Sequence, residues 1–161
     1  MPSTPFITAG VILAGIVFLI ATYQWILRII GVVIIPQNGI GIVTKKFVLF
    51  GPNKILADGE IVALKGEAGL QADALAPGLH FWLWPWQYSI HTEPFTEIEE
   101  GLIGIVEAAG GRPISGGRVI GNAVECDSFQ SVRDFVEKGG ERGPQMAVIP
   151  PGKYRINTAF F

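Results

Sequence analysis

Gly66 to His80 reads GEAGLQADALAPGLH, and Gly140 to Tyr154 reads GERGPQMAVIPPGKY. Glu67, Gly69, Gln71, Pro77 and Gly78 recur as Glu141, Gly143, Gln145, Pro151 and Gly152, each 74 positions on. Five identities in fixed order at one offset point to an internal duplication. Upstream, Gln37 to Val43 (QNGIGIV) faces Glu100 to Val106 (EGLIGIV), and Gly41 matches Gly104, 63 positions on. The offset rises from 63 to 74, so the second copy carries eleven extra residues. Two copies are too few for a solenoid, which needs about three or more. The pattern predicts an α+β fold dominated by β structure. Each of two related units has a strand, a polar excursion, and a strand after a Pro-Gly turn. Pro77-Gly78 and Pro151-Gly152 read as those turns, because Pro presets φ and Gly accepts a positive one.

The extra length of the second copy contains Asp127 to Lys138, DSFQSVRDFVEK, which reads as a short helix. Asp127 and Gln130 have capping-box spacing, and Phe129, Val132, Phe135 and Val136 share a face at helical period. Gly139-Gly140 supplies the stop. In the first copy, Phe47 to Phe50 reads as a strand, Gly51-Pro52-Asn53 as a turn, and Asp58-Gly59 as a turn before Glu60 to Leu64.

Between the repeats and the N-terminus the composition changes. Residues 1–27 contain no Asp, Glu, Lys or Arg. Phe6 to Leu27 is a run of 22 residues, 17 of them apolar. As a helix it would be about 33 Å long, enough for a hydrocarbon core of about 30 Å. No basic residue precedes it and no small-x-small site follows, which argues against a cleaved signal peptide. The sequence thus predicts a transmembrane anchor over residues 1–28, a first unit over 29–95 and a second over 96–161. A shallow hairpin that dips in and returns is the alternative, since Ile29 to Ile35 is also apolar; that stretch reads better as a first strand. Arg28, Lys45 and Lys46 follow the anchor and place the bulk of the chain on the cytoplasmic side of a cell membrane.

Ala76 to Tyr88, APGLHFWLWPWQY, holds three of the four tryptophans. Leu79 to Trp84 reads as an aromatic strand ending at Pro85. Trp and Tyr favour boundaries that are apolar on one side and wet on the other. The second copy has Tyr154-Arg155-Ile156-Asn157 in this place, which is far more polar. Trp25, Arg28, Phe81, Trp82, Trp84, Trp86 and Tyr88 are therefore the expected membrane-interface residues, with a lipid bilayer as partner.

Residues suited to chemistry are few. The chain is 49% hydrophobic and 16% charged with a net charge of −2. No Lys/Arg cluster favours nucleic acid. Cys126 is the single cysteine, so no intramolecular disulfide is possible. His80, His91 and Cys126 lack zinc-like spacing, and His80 corresponds to Tyr154, which suits packing better than ligation. Glu97, Glu99 and Glu100 could supply a general acid, but a solvated strand edge explains them more simply. No G-x-S-x-G elbow occurs, and GGRPISGG (110–117) lacks the Lys-Ser/Thr of a phosphate loop. These residues predict no catalytic site, metal or cofactor.

An apolar N-terminal segment, then IIPQNGIGIVTKKFV, then LAPGLHFWLWPWQY resembles the start of a Band 7 or SPFH protein, the superfamily of stomatin, prohibitin and flotillin. Pro36, Gly39, Gly41 and Val43, and then Leu75 with Pro77 to Phe81, carry the resemblance. Arg118, the CDSFQ stretch and PPGKYRINTAFF are similar to bacterial flotillin-like members. The resemblance implies a membrane scaffold that organises lipid microdomains, forms homo-oligomers and binds a membrane protease or a small membrane partner. Family members continue into further repeats and a heptad-rich coiled coil. This chain has no heptads, so the resemblance implies a fragment, a split reading frame or a short paralogue, and oligomerisation that depends on a downstream coiled coil. Two other classes compete: an anchored hydrolase built around Glu97–Glu100 or His80, and a periplasmic binding module on a signal anchor.

Overall fold

The computed structural model describes residues 4–49 and 55–161 and, within the first helix, the side chains of residues 8–23 and 25–30. Helix α1 (Thr4–Ile30) leads into β1 (Val33–Ile35) and β2 (Gly39–Lys45). The first half continues with β3 (Val62–Ala63), β4 (Gly69–Gln71), β5 (Gly78–His80) and β6 (Tyr88–Pro94). The second half holds β7 (Thr96–Ile98), β8 (Glu107–Ala108), α2 (Val132–Glu137), β9 (Gly143–Pro144) and β10 (Gly152–Tyr154). The sheets are small: one has the order β3-β4-β2-β6, and β1-β5, β7-β10 and β8-β9 pair separately.

The two halves use one pairing scheme. Val33 faces His80 and Ile35 faces Gly78; 63 and 74 positions on, Thr96 faces Tyr154 and Ile98 faces Gly152. Thr44 pairs with Leu70 and Lys45 with Gly69, as Glu107 pairs with Pro144 and Ala108 with Gly143. Gly41 exchanges main-chain hydrogen bonds with Leu75, and Gly104 does so with Ile149. Gln71 Nε2 donates to the carbonyls of Glu67 and Gly69, and Gln145 Nε2 to those of Glu141 and Gly143. Pro77 and Pro151 each occupy a bend, and the glycine after each opens a strand.

The main core lies in the second half. Cys126, Phe129, Val132, Phe135, Ile149, Ile156 and Phe160 are buried there, and Val62 and Ala72 join them from the first half. Phe135 and Phe160 meet edge to face with ring centres 6.0 Å apart, a favoured aromatic geometry. Arg133 on α2 ties the halves together through two hydrogen bonds to Asp73, at 2.6 and 3.0 Å.

Four expectations from the sequence do not hold. Among the described residues no helix is long and apolar enough to cross a membrane, so the transmembrane helix expected at Phe6–Leu27 is overturned. The second correction concerns Asp127–Lys138, where only Val132–Glu137 is helical. Asp127, Ser128 and Phe129 have φ of 53°, 52° and 64°, a left-handed turn that cannot start a right-handed helix. Ser131 takes the N-cap position instead, its side chain accepting from the Asp134 amide. Third, the aromatic strand is shorter than expected: β5 stops at His80, ahead of the positive φ at Trp82. The strand expected at Phe47–Phe50 is absent over Phe47–Leu49. Phe50 and the turn expected at Gly51-Pro52-Asn53 lie outside the described residues.

Candidate functional site

The site is built where α1 ends. Gly31, at φ 78°, takes the left-handed position after the helix. Its N–H donates to the Arg28 carbonyl, and the Val32 N–H donates to the Leu27 carbonyl. This is the Schellman arrangement, which satisfies carbonyls left over at a helix end. The Gly31 carbonyl accepts from the Leu83 amide at 2.9 Å. A Cβ on Gly31 would lie 2.9 Å from both Leu83 N and Trp84 Cδ1. The aromatic segment is thus locked directly onto the helix terminus, and the close approach needs glycine.

That lock explains why the strand breaks. Trp82 has φ 65°, rare for a bulky side chain, and the chain leaves the β1–β5 ladder there. Trp84 then starts a turn, its carbonyl accepting from the amides of Gln87 and Tyr88. Lys46 Nζ donates to the Pro85 carbonyl at 2.8 Å and fixes a cation beside the turn. Trp82 and Trp84 therefore do not lie on one face as they would in the continuous strand expected over Leu79–Trp84. Trp84 is instead the middle of a three-ring ridge. Trp86 stacks on it at 5.9 Å with planes 8° apart, and Trp82 meets it edge-on at 5.9 Å.

The ridge is open to the outside: Trp82 is 70% exposed, Trp86 52% and Phe81 54%. On the helix, Val11, Ile12, Leu13, Val17, Phe18, Ile20, Trp25 and Ile29 are all exposed. Over Thr8–Tyr23 every described side chain is exposed except the half-buried Thr22. Arg28 stands between helix and ridge and lines a groove of about 330 Å³ with Val32, Ile34, Leu83, Pro85 and Tyr88. The expected interface residues therefore divide as follows. Trp25, Phe81, Trp82 and Trp86 are exposed apolar surface, Trp84 and Tyr88 are half-buried supports, and Arg28 is the cation at the junction.

The titratable candidates sit elsewhere and apart. His80 Nε2 is 2.8 Å from the Ala76 carbonyl and spans the Pro77 bend. Glu97 pairs with Lys153 at 3.3 Å across the β7–β10 ladder. The cleft at Glu97–Glu100 is completed by Pro151, Gly152 and Lys153, not by His80 or Cys126. Cys126 is buried, and burial pushes its thiol pKa up, away from the reactive thiolate. Among the described residues no cluster of three or more His, Cys, Asp or Glu is placed to hold a metal ion.

One constellation escaped the sequence reading. Glu141 is buried and its carboxylate accepts from Arg118 at 2.6 and 3.0 Å and from the Asn122 amide at 2.9 Å. The Arg118 hydrogen bonds hold its pKa below the usual carboxylate range. Glu67, its counterpart in the first half, accepts from the Lys65 amide at 2.8 Å. The recurrence of Glu67 and Glu141 was visible in the sequence, but the loop partners Arg118 and Asn122 had no regular spacing to reveal them.

No family model matches this chain, and no curated protein or solved structure matches it either.

Proposed function

We propose that this chain is a non-catalytic scaffold unit of Band 7 or SPFH type that works against a lipid membrane. One observation carries the proposal: the uncovered apolar surface of α1 is fastened, through Gly31 and Leu83, to the exposed Trp82–Trp86 ridge. Exposed apolar side chains in this number need an apolar surrounding. A helix apolar on every side is normally buried on every side. Lipid supplies that surrounding to α1, and the ridge takes the headgroup boundary, where tryptophan concentrates. Arg28 and Lys46 lie where anionic headgroups of a cytoplasmic leaflet would meet them. The proposal needs contact with lipid and not passage across it. The resemblance to the stomatin, prohibitin and flotillin superfamily adds homo-oligomeric assembly and membrane-protein partners to the reading.

The test is tryptophan quenching by brominated lipids in vesicles containing anionic lipid. Trp25 is first changed to Phe so that only Trp82, Trp84 and Trp86 report. Strong quenching by bromines near the headgroup is expected. Fluorescence unchanged by bromines at every depth would reject the ridge as a lipid contact.

A further inference from the structure

We propose that the groove between the end of α1, β1 and β6 binds one anionic phospholipid, a site that rests on the membrane reading of α1 and the tryptophan ridge. The lipid phosphate meets Arg28, and the start of an acyl chain lies along the apolar wall. Two local patterns build the groove. Tyr88, Ile90 and Thr92 are alternate residues of β6, so their side chains share one face of the sheet. Arg28 stands in the last turn of α1, and the bond from Val32 N to Leu27 O folds the chain back beside it. These residues line the same groove of about 330 Å³, together with Ile34 and Leu83. Leu83 is also the residue that fastens the ridge to Gly31, so the groove is continuous with the exposed apolar surface. Ligand pockets run from roughly 300 to 1,000 Å³. This one takes a headgroup linkage and the start of a chain, and the rest of the lipid stays beside α1.

The polar groups of the groove have no partner of their own. Among the described residues, the Arg28 guanidinium and the hydroxyls of Tyr88 and Thr92 make no hydrogen bond or ion pair. The neighbouring cations differ. Lys45 Nζ donates to the Gly66 carbonyl and Lys46 Nζ to that of Pro85, each at 2.8 Å. Arg28 thus keeps its whole fork of donors free. A guanidinium fork matches the oxygens of a phosphate. The two hydroxyls can donate to a remaining phosphate oxygen or to an ester carbonyl.

Charge selects the kind of lipid. No Asp or Glu lines the groove. A zwitterionic headgroup carries a quaternary ammonium, which needs a carboxylate or a free aromatic face. The aromatic ring available is that of Tyr88, and Lys45 Nζ already stands over it, 5.9 Å from the ring centre. A choline group would therefore be held next to cations with nothing to neutralise it. A phosphodiester with an uncharged headgroup, such as phosphatidylglycerol, brings one negative charge to Arg28 and no positive one. The apolar wall of Val32, Ile34, Leu83 and Ile90 sets a lipid apart from a free phosphate, because only the lipid covers that wall.

The test is native mass spectrometry of the full chain in a non-ionic detergent with short-chain phosphatidylglycerol added. A one-to-one adduct is expected, at a concentration about tenfold or more below that needed for the matching phosphatidylcholine, as befits a charge-assisted hydrogen bond. Inorganic phosphate and glycerophosphoglycerol, which lack acyl chains, should give no adduct at that concentration. Arg28→Gln should erase the preference for phosphatidylglycerol, and Arg28→Lys should keep part of it. Thr92→Phe, at an exposed strand position, should fill the groove and block the adduct with the urea midpoint unaltered. Equal affinity for the two lipids, a preference that survives Arg28→Gln, or full binding to Thr92→Phe would overturn the site. Equal binding of inorganic phosphate would overturn it as well, because the wall would then contribute nothing. Bromine quenching of the ridge separates the two readings. Quenching without lipid preference overturns the groove alone, and absent quenching overturns the membrane reading on which the groove rests.

Discussion

At the scale of single residues, two glycines show packing dictating residue type. A Cβ on Gly104 would stand 2.6 Å from Ile98 Cδ1 and 3.2 Å from Ile149 Cβ; on Gly41 it would stand 2.8 Å from Ile35 Cδ1 and 3.1 Å from Leu75 Cβ. The same isoleucine crosses the same glycine in both halves. Gly104→Ala should therefore cost about 1–3 kcal/mol by overpacking, read by urea unfolding of detergent-solubilised protein. Adding Ile98→Val, which lacks the δ carbon, should recover part of that loss; a purely additive double variant would refute the contact. Charged residues make a pH prediction. Hydrogen bonds from Arg133 lower the Asp73 pKa, and those from Arg118 lower that of Glu141. Each carboxylate is more acidic folded than unfolded, so its contribution is present above the unfolded value of about 4 and is lost as pH falls through the lower folded value. The urea midpoint should drop below about pH 4, and less steeply in the Asp73→Asn variant. An Asp73→Asn profile parallel to that of the parent would exclude the Arg133 pair as a cause.

At the scale of elements, α2 and α1 differ in what holds them. α2 has only six residues, too few to persist alone. Its cap, its Schellman end at Gly139 and the burial of Val132 and Phe135 hold it in place. Ser131→Ala should cost about 0.5–2 kcal/mol, measured as a lower unfolding midpoint. Ser128 tests the left-handed turn before the helix, since it is exposed at φ 52°. Ser128→Gly removes a backbone cost of about 1–2 kcal/mol and adds about 0.5–1 kcal/mol of unfolded-state entropy. A small rise in midpoint is expected, and a clear fall would contradict the left-handed turn. α1 has a capped end, yet most of its described side chains are exposed. Its stability as an element depends on what surrounds it.

The whole molecule combines a core concentrated in the second half with an apolar surface concentrated at α1 and the ridge. If lipid covers that surface, the protein should remain with membranes through high salt and alkaline carbonate, since apolar contact survives when the ion pairs of Arg28 and Lys46 are screened. Release by carbonate without detergent would show that α1 is not embedded. Replacing Trp82 and Trp86 by Ser should weaken vesicle binding while leaving the urea midpoint near that of the parent, because both rings are exposed. An equal loss of fold and binding would return the ridge to a structural role.

By itself the sequence determined the pairings it could encode twice. Gly41 and Gly104, Gln71 and Gln145, and the Pro-Gly pairs appear at constant offsets because each meets the same local steric or hydrogen-bonding demand in both halves. The glycine stop after α2 and the apolar character of α1 were legible for the same reason: both are local. Tertiary structure alone decided that the aromatic strand breaks at Trp82, since that depends on a carbonyl at Gly31, some fifty residues earlier. It decided that Asp127–Phe129 turns left-handed before the helix, although their spacing fits a capping box. It also decided that Ile40 is covered: it pairs with Glu93 in β6 and is 2% exposed, a contact across some fifty residues that no local pattern records.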